Sequence, residues 1–173
     1  VINLKDAARP KMAPVLDPDF LPLVLWNKAF CGAVAQSGKG VPFGVALERE
    51  GGQMALYRTE IFPQGEKEEF DQANFIYAER LVKSMLWIKG GWKVTVGGAP
   101  AITEYLRKAY APGGLREFDA GFMTRVYEHD FQVVGVDYPN LPAEHEVAEE
   151  MGGNLDGCRI GFDAGGSDRK VAA

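Results

Sequence analysis

Along residues 70–89, apolar side chains return every three or four positions, at Ala73, Ile76, Tyr77, Leu81, Met85 and Ile88. That spacing predicts one face of an α-helix, with Glu79, Arg80 and Lys83 largely on the opposite side and Gly90-Gly91 as the stop. A helix is also predicted over 101–110, and another over 115–128 with Leu115, Phe118, Phe122 and Val126 on one face. Upstream, Asp17-Pro18-Asp19 reads as a helix start and 20–29 as a short apolar helix, followed by a loop at 36–40. Residues 1–19 carry Pro10, Pro14 and Pro18 with no period, and read as an extended arm.

The pattern changes to β from Val41. Two β-rich runs, 42–48 and 54–62, flank Gly51-Gly52, a pair suited to the positive φ of a hairpin turn. Further strands are predicted at 92–96, 131–137 and 159–163. The segment 139–156 holds the acidic stretch Glu144 to Glu150 and reads as a solvated linker. The order hairpin, helix, strand, helix, helix, strand predicts a mixed α/β (α+β) sheet with helices packed on it. That layout is shared by ribonuclease-H-like domains and by each half of an actin/hexokinase-type ATPase. The expected organisation is an arm at 1–19, an α/β accessory domain at 20–138, an acidic linker at 139–156 and a terminal hairpin at 157–173.

Composition narrows the function classes. The 173 residues are 46% apolar and 25% charged, as in a soluble globular protein. No apolar run reaches the roughly 18 residues of a membrane span, and the first residues lack a signal-peptide pattern, so a cytoplasmic location is the expectation. The 19 Lys and Arg are scattered among 24 acids, which speaks against a nucleic-acid surface. Cys31 and Cys158 are too few for a disulfide framework, and two histidines make a Cys/His zinc site a poor fit. The chain opens on Val rather than Met and stops at Val171-Ala172-Ala173 within an expected strand, so it reads as a piece of something longer.

The string that carries chemistry is Arg159-Ile160-Gly161-Phe162-Asp163-Ala164-Gly165-Gly166-Ser167-Asp168-Arg169-Lys170. An apolar strand delivers Asp163 at its end, where a carboxylate suits a hydrated magnesium ion. Gly165 and Gly166 leave backbone N–H groups free to approach a phosphate, and Ser167 adds a hydroxyl. The string resembles the phosphate motif that opens the ROK (repressor, open reading frame, kinase) sugar kinases: strand, Asp, any residue, Gly, Gly, Thr, then a basic residue three positions on. Asp163, Gly165, Gly166 and Lys170 match, and Ser167 replaces the usual Thr while keeping its hydroxyl. The resemblance implies an ATP phosphate site at Asp163, Gly165, Gly166, Ser167 and Lys170, with Mg2+ at Asp163, and a sugar as substrate of the intact protein. It covers under a tenth of the chain. The family's catalytic aspartate, Glu-x-Gly-His element and cysteine-rich zinc motif lie downstream in that family and do not occur here. This chain alone is therefore expected to be catalytically inert, completed by the remainder of a kinase chain. The competing reading is a non-catalytic interaction or regulatory module whose α/β domain mediates homo-oligomer contacts.

Weaker candidates are set aside. Ser37-Gly38-Lys39-Gly40 lacks the earlier glycine and the following Ser or Thr of a phosphate-binding P-loop. Gly97-Gly98 before a helix reads as a tight turn rather than an anion cradle, and Glu128-His129-Asp130 as a solvated turn. Trp26, Trp87 and Trp92 read as core or interface residues.

Overall fold

The computed structural model describes residues 4–148, 152–153 and 156–172. The strands β1 (Val41–Glu48) and β2 (Met54–Ile61) form an antiparallel hairpin. Between them Gly51 and Gly52 both take positive φ, 69° and 71°, which a side chain would strain. β3 (Lys93–Gly97) pairs antiparallel with β1, and β4 (Gln132–Val136) pairs parallel with β3, giving the order β2-β1-β3-β4. The helices are α1 (Leu4–Ala7), α2 (Leu23–Ser37), α3 (Glu68–Lys89), α4 (Pro100–Tyr110) and α5 (Glu117–Tyr127). The fold is mixed α/β, with a four-stranded mixed sheet and, among the described residues, five α-helices.

The two faces of the sheet are covered by different means. Phe43, Val45 and Leu47 of β1 share a face with Val94 and Val96 of β3, following the period of two along each strand. They join Trp26, Phe30 and Val34 of α2, Tyr77, Val82 and Leu86 of α3, and Ile102 and Leu106 of α4 in one core. On the other face, Gly44 and Gly97 lie directly opposite each other. A Cβ at either position would come within 2.5 Å of a Leu141 side-chain carbon. The paired glycines thus make a notch, and Leu141, which is buried, fills it.

Leu141 belongs to a strap that crosses this face. After β4 a 3₁₀ turn at Tyr138–Asn140 lies against β1 and β3. The strap then bridges Met54 at the start of β2, with His145 N donating to Met54 O at 2.9 Å and Met54 N to His145 O at 2.6 Å. Glu146 closes it by ion pairs of 2.7 Å to both Arg49 and Lys89. The first part of the expected solvated linker is therefore bound to the sheet, through an apolar plug and an ion-pair clasp. Glu149 and Glu150 of the acidic stretch lie outside the described residues.

Four other expectations are corrected. The arm carries one helical turn, α1, and Ala8 beside it is fully buried. Residues 1–3 of that arm lie outside the described residues. α2 begins at Leu23 after Pro22 and runs on to Ser37, well past the expected end near residue 29 and into the expected loop. α3 is rotated relative to its expected face: Ala73, Tyr77 and Leu81 are buried, but so are Asn74, Val82, Leu86 and Glu79, whereas Ile76 and Ile88 are exposed. Polar partners account for the rotation. Asn74 exchanges hydrogen bonds of 3.1 and 2.9 Å with the Phe62 backbone, and Glu79 pairs with Arg116. α5 is turned the other way round. It buries Asp119, Ala120 and Met123, and leaves Phe118 at 68% exposure, with Leu115 just before the helix at 69%.

Among the described residues, no helix is long and apolar enough to cross a membrane.

Candidate functional site

The residues singled out from the sequence meet on a second, two-stranded sheet. β5 (Gly161–Ala164) pairs antiparallel with β6 (Arg169–Ala172), leaving Gly165 to Asp168 as the turn. Asp163 stands directly across from Lys170, so the carboxylate and the ammonium share one face near the turn. Phe162 stands across from Val171 on the other face, and both are exposed. Every described residue from 156 to 172 is exposed, so neither face of this hairpin is buried against the α/β domain.

Inside the turn the two glycines meet different surroundings. A Cβ on Gly165 would lie 2.8 Å from the Asp168 carbonyl oxygen and 2.9 Å from its Oδ1, while one on Gly166 would meet nothing within 4 Å. Gly165 is thus needed for the hairpin itself, and Gly166 keeps the rim of the turn open. Lys170 Nζ pairs with Asp168 Oδ2 at 3.4 Å, a neighbour the sequence motif did not place in the site. That acid places a second negative charge beside the turn and partly neutralises Lys170.

The donor set can be tested against Mg2+ and a polyphosphate. Among the described residues, no group of three or more His, Cys, Asp or Glu side chains is arranged to hold a metal ion. Mg2+ is commonly held by one or two carboxylates together with substrate phosphates and water. Asp163 can be one such carboxylate, with the turn amides, the Ser167 hydroxyl and Lys170 available to phosphate oxygens. One carboxylate beside an exposed turn is compatible with a share of such a site and does not make one alone.

The α/β domain holds two groups of polar residues that sequence reasoning missed. One is an open groove of about 520 Å³ between α4 and the edge strand β4, lined by Thr103, Glu104, Arg107, Asp137 and Asn140 among others. Arg107 Nε donates to Val133 O at 3.0 Å, and its guanidinium pairs with Glu104, so the groove's cation is committed to the strand edge. The other is a buried cluster joining α3 to α5. Arg116 pairs with Glu79 and, at 3.8 Å, with Asp119, while the Trp87 indole N–H donates to Asp119 Oδ1 at 2.6 Å. Its hydrogen bond to Glu79 holds the Arg116 pKa above the ordinary value, and burial raises that of the neighbouring Tyr110 hydroxyl. Glu79 and Trp87 lie on α3 and Asp119 on α5, far apart in sequence, and of these acids only Glu79 was placed by the helical pattern, on the side opposite the apolar face.

The motifs set aside earlier have ordinary structural roles. Gly38 is the left-handed C-cap of α2, with Ser37 Oγ donating to Val34 O at 2.6 Å, so Ser37-Gly38-Lys39-Gly40 ends a helix rather than opening one. At the start of α4 the Ala101 amide is taken by Gln64 Oε1 at 3.1 Å, which occupies the donor an anion would need. His129 stacks on Trp92 at 4.5 Å, Trp26 lies in the core, and Trp87 is half exposed.

No protein-family model matches the chain, and no curated protein or solved structure matches it either.

Proposed function

We propose that residues 157–173 are the opening hairpin of an actin/hexokinase-type ATPase domain of a ROK-like sugar kinase, and that the α/β domain before it is an accessory unit. The observation that carries this reading is the pairing of Asp163 with Lys170 across a turn made of Gly165, Gly166, Ser167 and Asp168. A carboxylate and an ammonium stand across from each other beside a turn that carries a hydroxyl and backbone amides, groups of the kind that a magnesium-bound triphosphate engages. The exposure of both hairpin faces supports it further. A two-stranded hairpin is marginal alone and gains stability by joining a larger sheet.

In that role Asp163 holds the hydrated cation, the turn amides and Ser167 donate to phosphate oxygens, and Lys170 offsets their charge. A bound Mg2+ supplies neutralisation of the phosphate oxygens. In phosphoryl transfer the protein's work is positioning and electrostatic stabilisation, which needs parts from both lobes. The hairpin would contribute one wall, with the sugar held elsewhere in the intact protein.

Calorimetric titration of the intact protein with ATP and Mg2+ tests the assignment. Asp163→Ala and Ser167→Ala are expected to weaken binding. Equal affinity in the parent and both variants would remove the phosphate-site reading.

A further inference from the structure

We infer that the seam between α2 and α3 is a docking groove for an acidic amphipathic helix of a partner protein. Two hollows of about 550 and 590 Å³ open along that seam and meet at Leu23, which lines both. On α3 the walls include Tyr77, Leu81, Ser84 and Ile88, and on α2 they include Leu23, Asn27 and Cys31, each set spaced three or four residues apart. Each set is therefore one stripe of its helix. The two helices run antiparallel here. Cys31 Sγ lies 3.7 Å from the Tyr77 hydroxyl at one end of the seam, and Leu23 shares the other end with Trp87 and Ile88. Tyr77 to Ile88 covers about 16 Å of helix axis, the length of three turns.

The chemistry of these walls selects the occupant. They are mostly apolar, so an extended strand laid on them would leave amides and carbonyls unpaired, whereas a helix has already satisfied its own. A third helix also packs into the groove between two helices by ordinary ridge contacts. Charge fixes the sign of its flanks. Arg80 and Lys83 line the first hollow and Lys28 the second, and among the described residues no carboxylate lines either. Among the described residues none of these three cations forms an ion pair within the chain. Arg80 lies over the Trp26 ring, 5.4 Å from its centroid. In a chain of formal charge -5, this basic and apolar strip is complementary to a helix that carries acids beside its apolar stripe. One rim is held in place, because the Trp87 indole is tied to buried Asp119. The floor is recessed, with Tyr77 and Leu81 buried. A lipid surface would instead engage apolar side chains that project past their cations.

Fluorescence anisotropy tests the groove on the whole chain. The probe is a labelled helical peptide of about 16 residues, with leucines at i, i+3, i+4 and i+7 and glutamates beside them. Micromolar binding is expected, about tenfold tighter than for the same peptide with lysines in place of the glutamates. No binding of the acidic peptide up to about 1 mM, or equal affinity for the two peptides, overturns the proposal. Ile88→Glu changes an exposed side chain and should abolish binding while circular dichroism stays native; unchanged affinity overturns it. Lys28→Glu combined with Lys83→Glu should weaken the acidic peptide about tenfold and strengthen the lysine peptide. If neither affinity moves, the cations do not read the partner and the proposal falls. Vesicles of phosphatidylserine and phosphatidylcholine should leave the chain in the supernatant on sedimentation. Co-sedimentation that Ile88→Glu removes would assign the groove to lipid and overturn the helix.

Discussion

Gly165 and Gly166 are neighbours in one turn, yet only Gly165 is pressed against other atoms. A Cβ added to Gly165 would sit 2.8 Å from the Asp168 carbonyl oxygen, so Gly165→Ala must open the turn, and the Asp163–Lys170 pairing should be lost with it. Gly166→Ala meets open space and should keep the hairpin. Amide chemical shifts of residues 161–172 will distinguish the two: native-like for Gly166→Ala and displaced for Gly165→Ala. Five contiguous residues made this candidate site legible in sequence, since strand, turn and carboxylate are neighbours in the chain. Asp168 was legible only as a letter. Its placement against Gly165 and Lys170 follows from the turn geometry, which side-chain type alone does not specify. The groove beside β4 left no comparable trace, because Thr103 and Asp137 come from elements far apart in sequence.

At the level of elements, the strap gives the sharpest expectations. Leu141→Ala leaves the Gly44–Gly97 notch unfilled and should cost about 2–4 kcal/mol in urea denaturation, as for other buried leucines. Gly97→Ala should also destabilise, since its Cβ would overlap Leu141 at 2.5 Å. Combining the two should cost less than their sum, because the truncated residue makes room for the new methyl. The clasp adds a pH dependence. Hydrogen bonding to Lys89, with Arg49 nearby, holds the Glu146 pKa below its ordinary value near 4.5. A depressed carboxylate pKa contributes stability above the unfolded-state value and loses it as pH falls through the folded-state value. The parent should therefore lose stability relative to Glu146→Gln as pH drops below about 4.5. Equal slopes in pH-resolved melting would discount the clasp. The helices themselves were legible from periodicity, but their faces were less so. α5 follows the hydrophobic pattern in length and inverts it in orientation, since Asp119 is drawn inward by Arg116 and Trp87. Counting apolar residues has no term for a carboxylate held inward by a neighbouring arginine and by an indole on another helix.

Over the whole molecule, the Glu79–Arg116–Asp119 cluster joins the long helix to the α4–α5 layer. Glu79 and Asp119 are only 5% and 4% exposed, so removing their shared cation leaves two buried carboxylates uncompensated. Arg116→Met should cost about 3–5 kcal/mol, the usual penalty for breaking such a pair, and chemical denaturation will measure it. An unfolding midpoint unchanged by this substitution would mean that solvent already compensates both acids. The sheet order was partly legible: the hairpin and the succession of helices and strands follow from pattern, while the closure of the second sheet face does not. Its two anchors, Gly44 and Gly97, look like weak strand positions until Leu141 is placed over them. The strap also moves the edge of the folded unit. By secondary structure the α/β domain ends with β4 at Val136, but by packing it ends at the Glu146 clasp. A chain shortened after Val136 would retain every strand and helix of the four-stranded sheet, yet bare a groove down the centre of that sheet. The useful excision point for this domain is therefore past the clasp, where the chain first leaves the body that holds it.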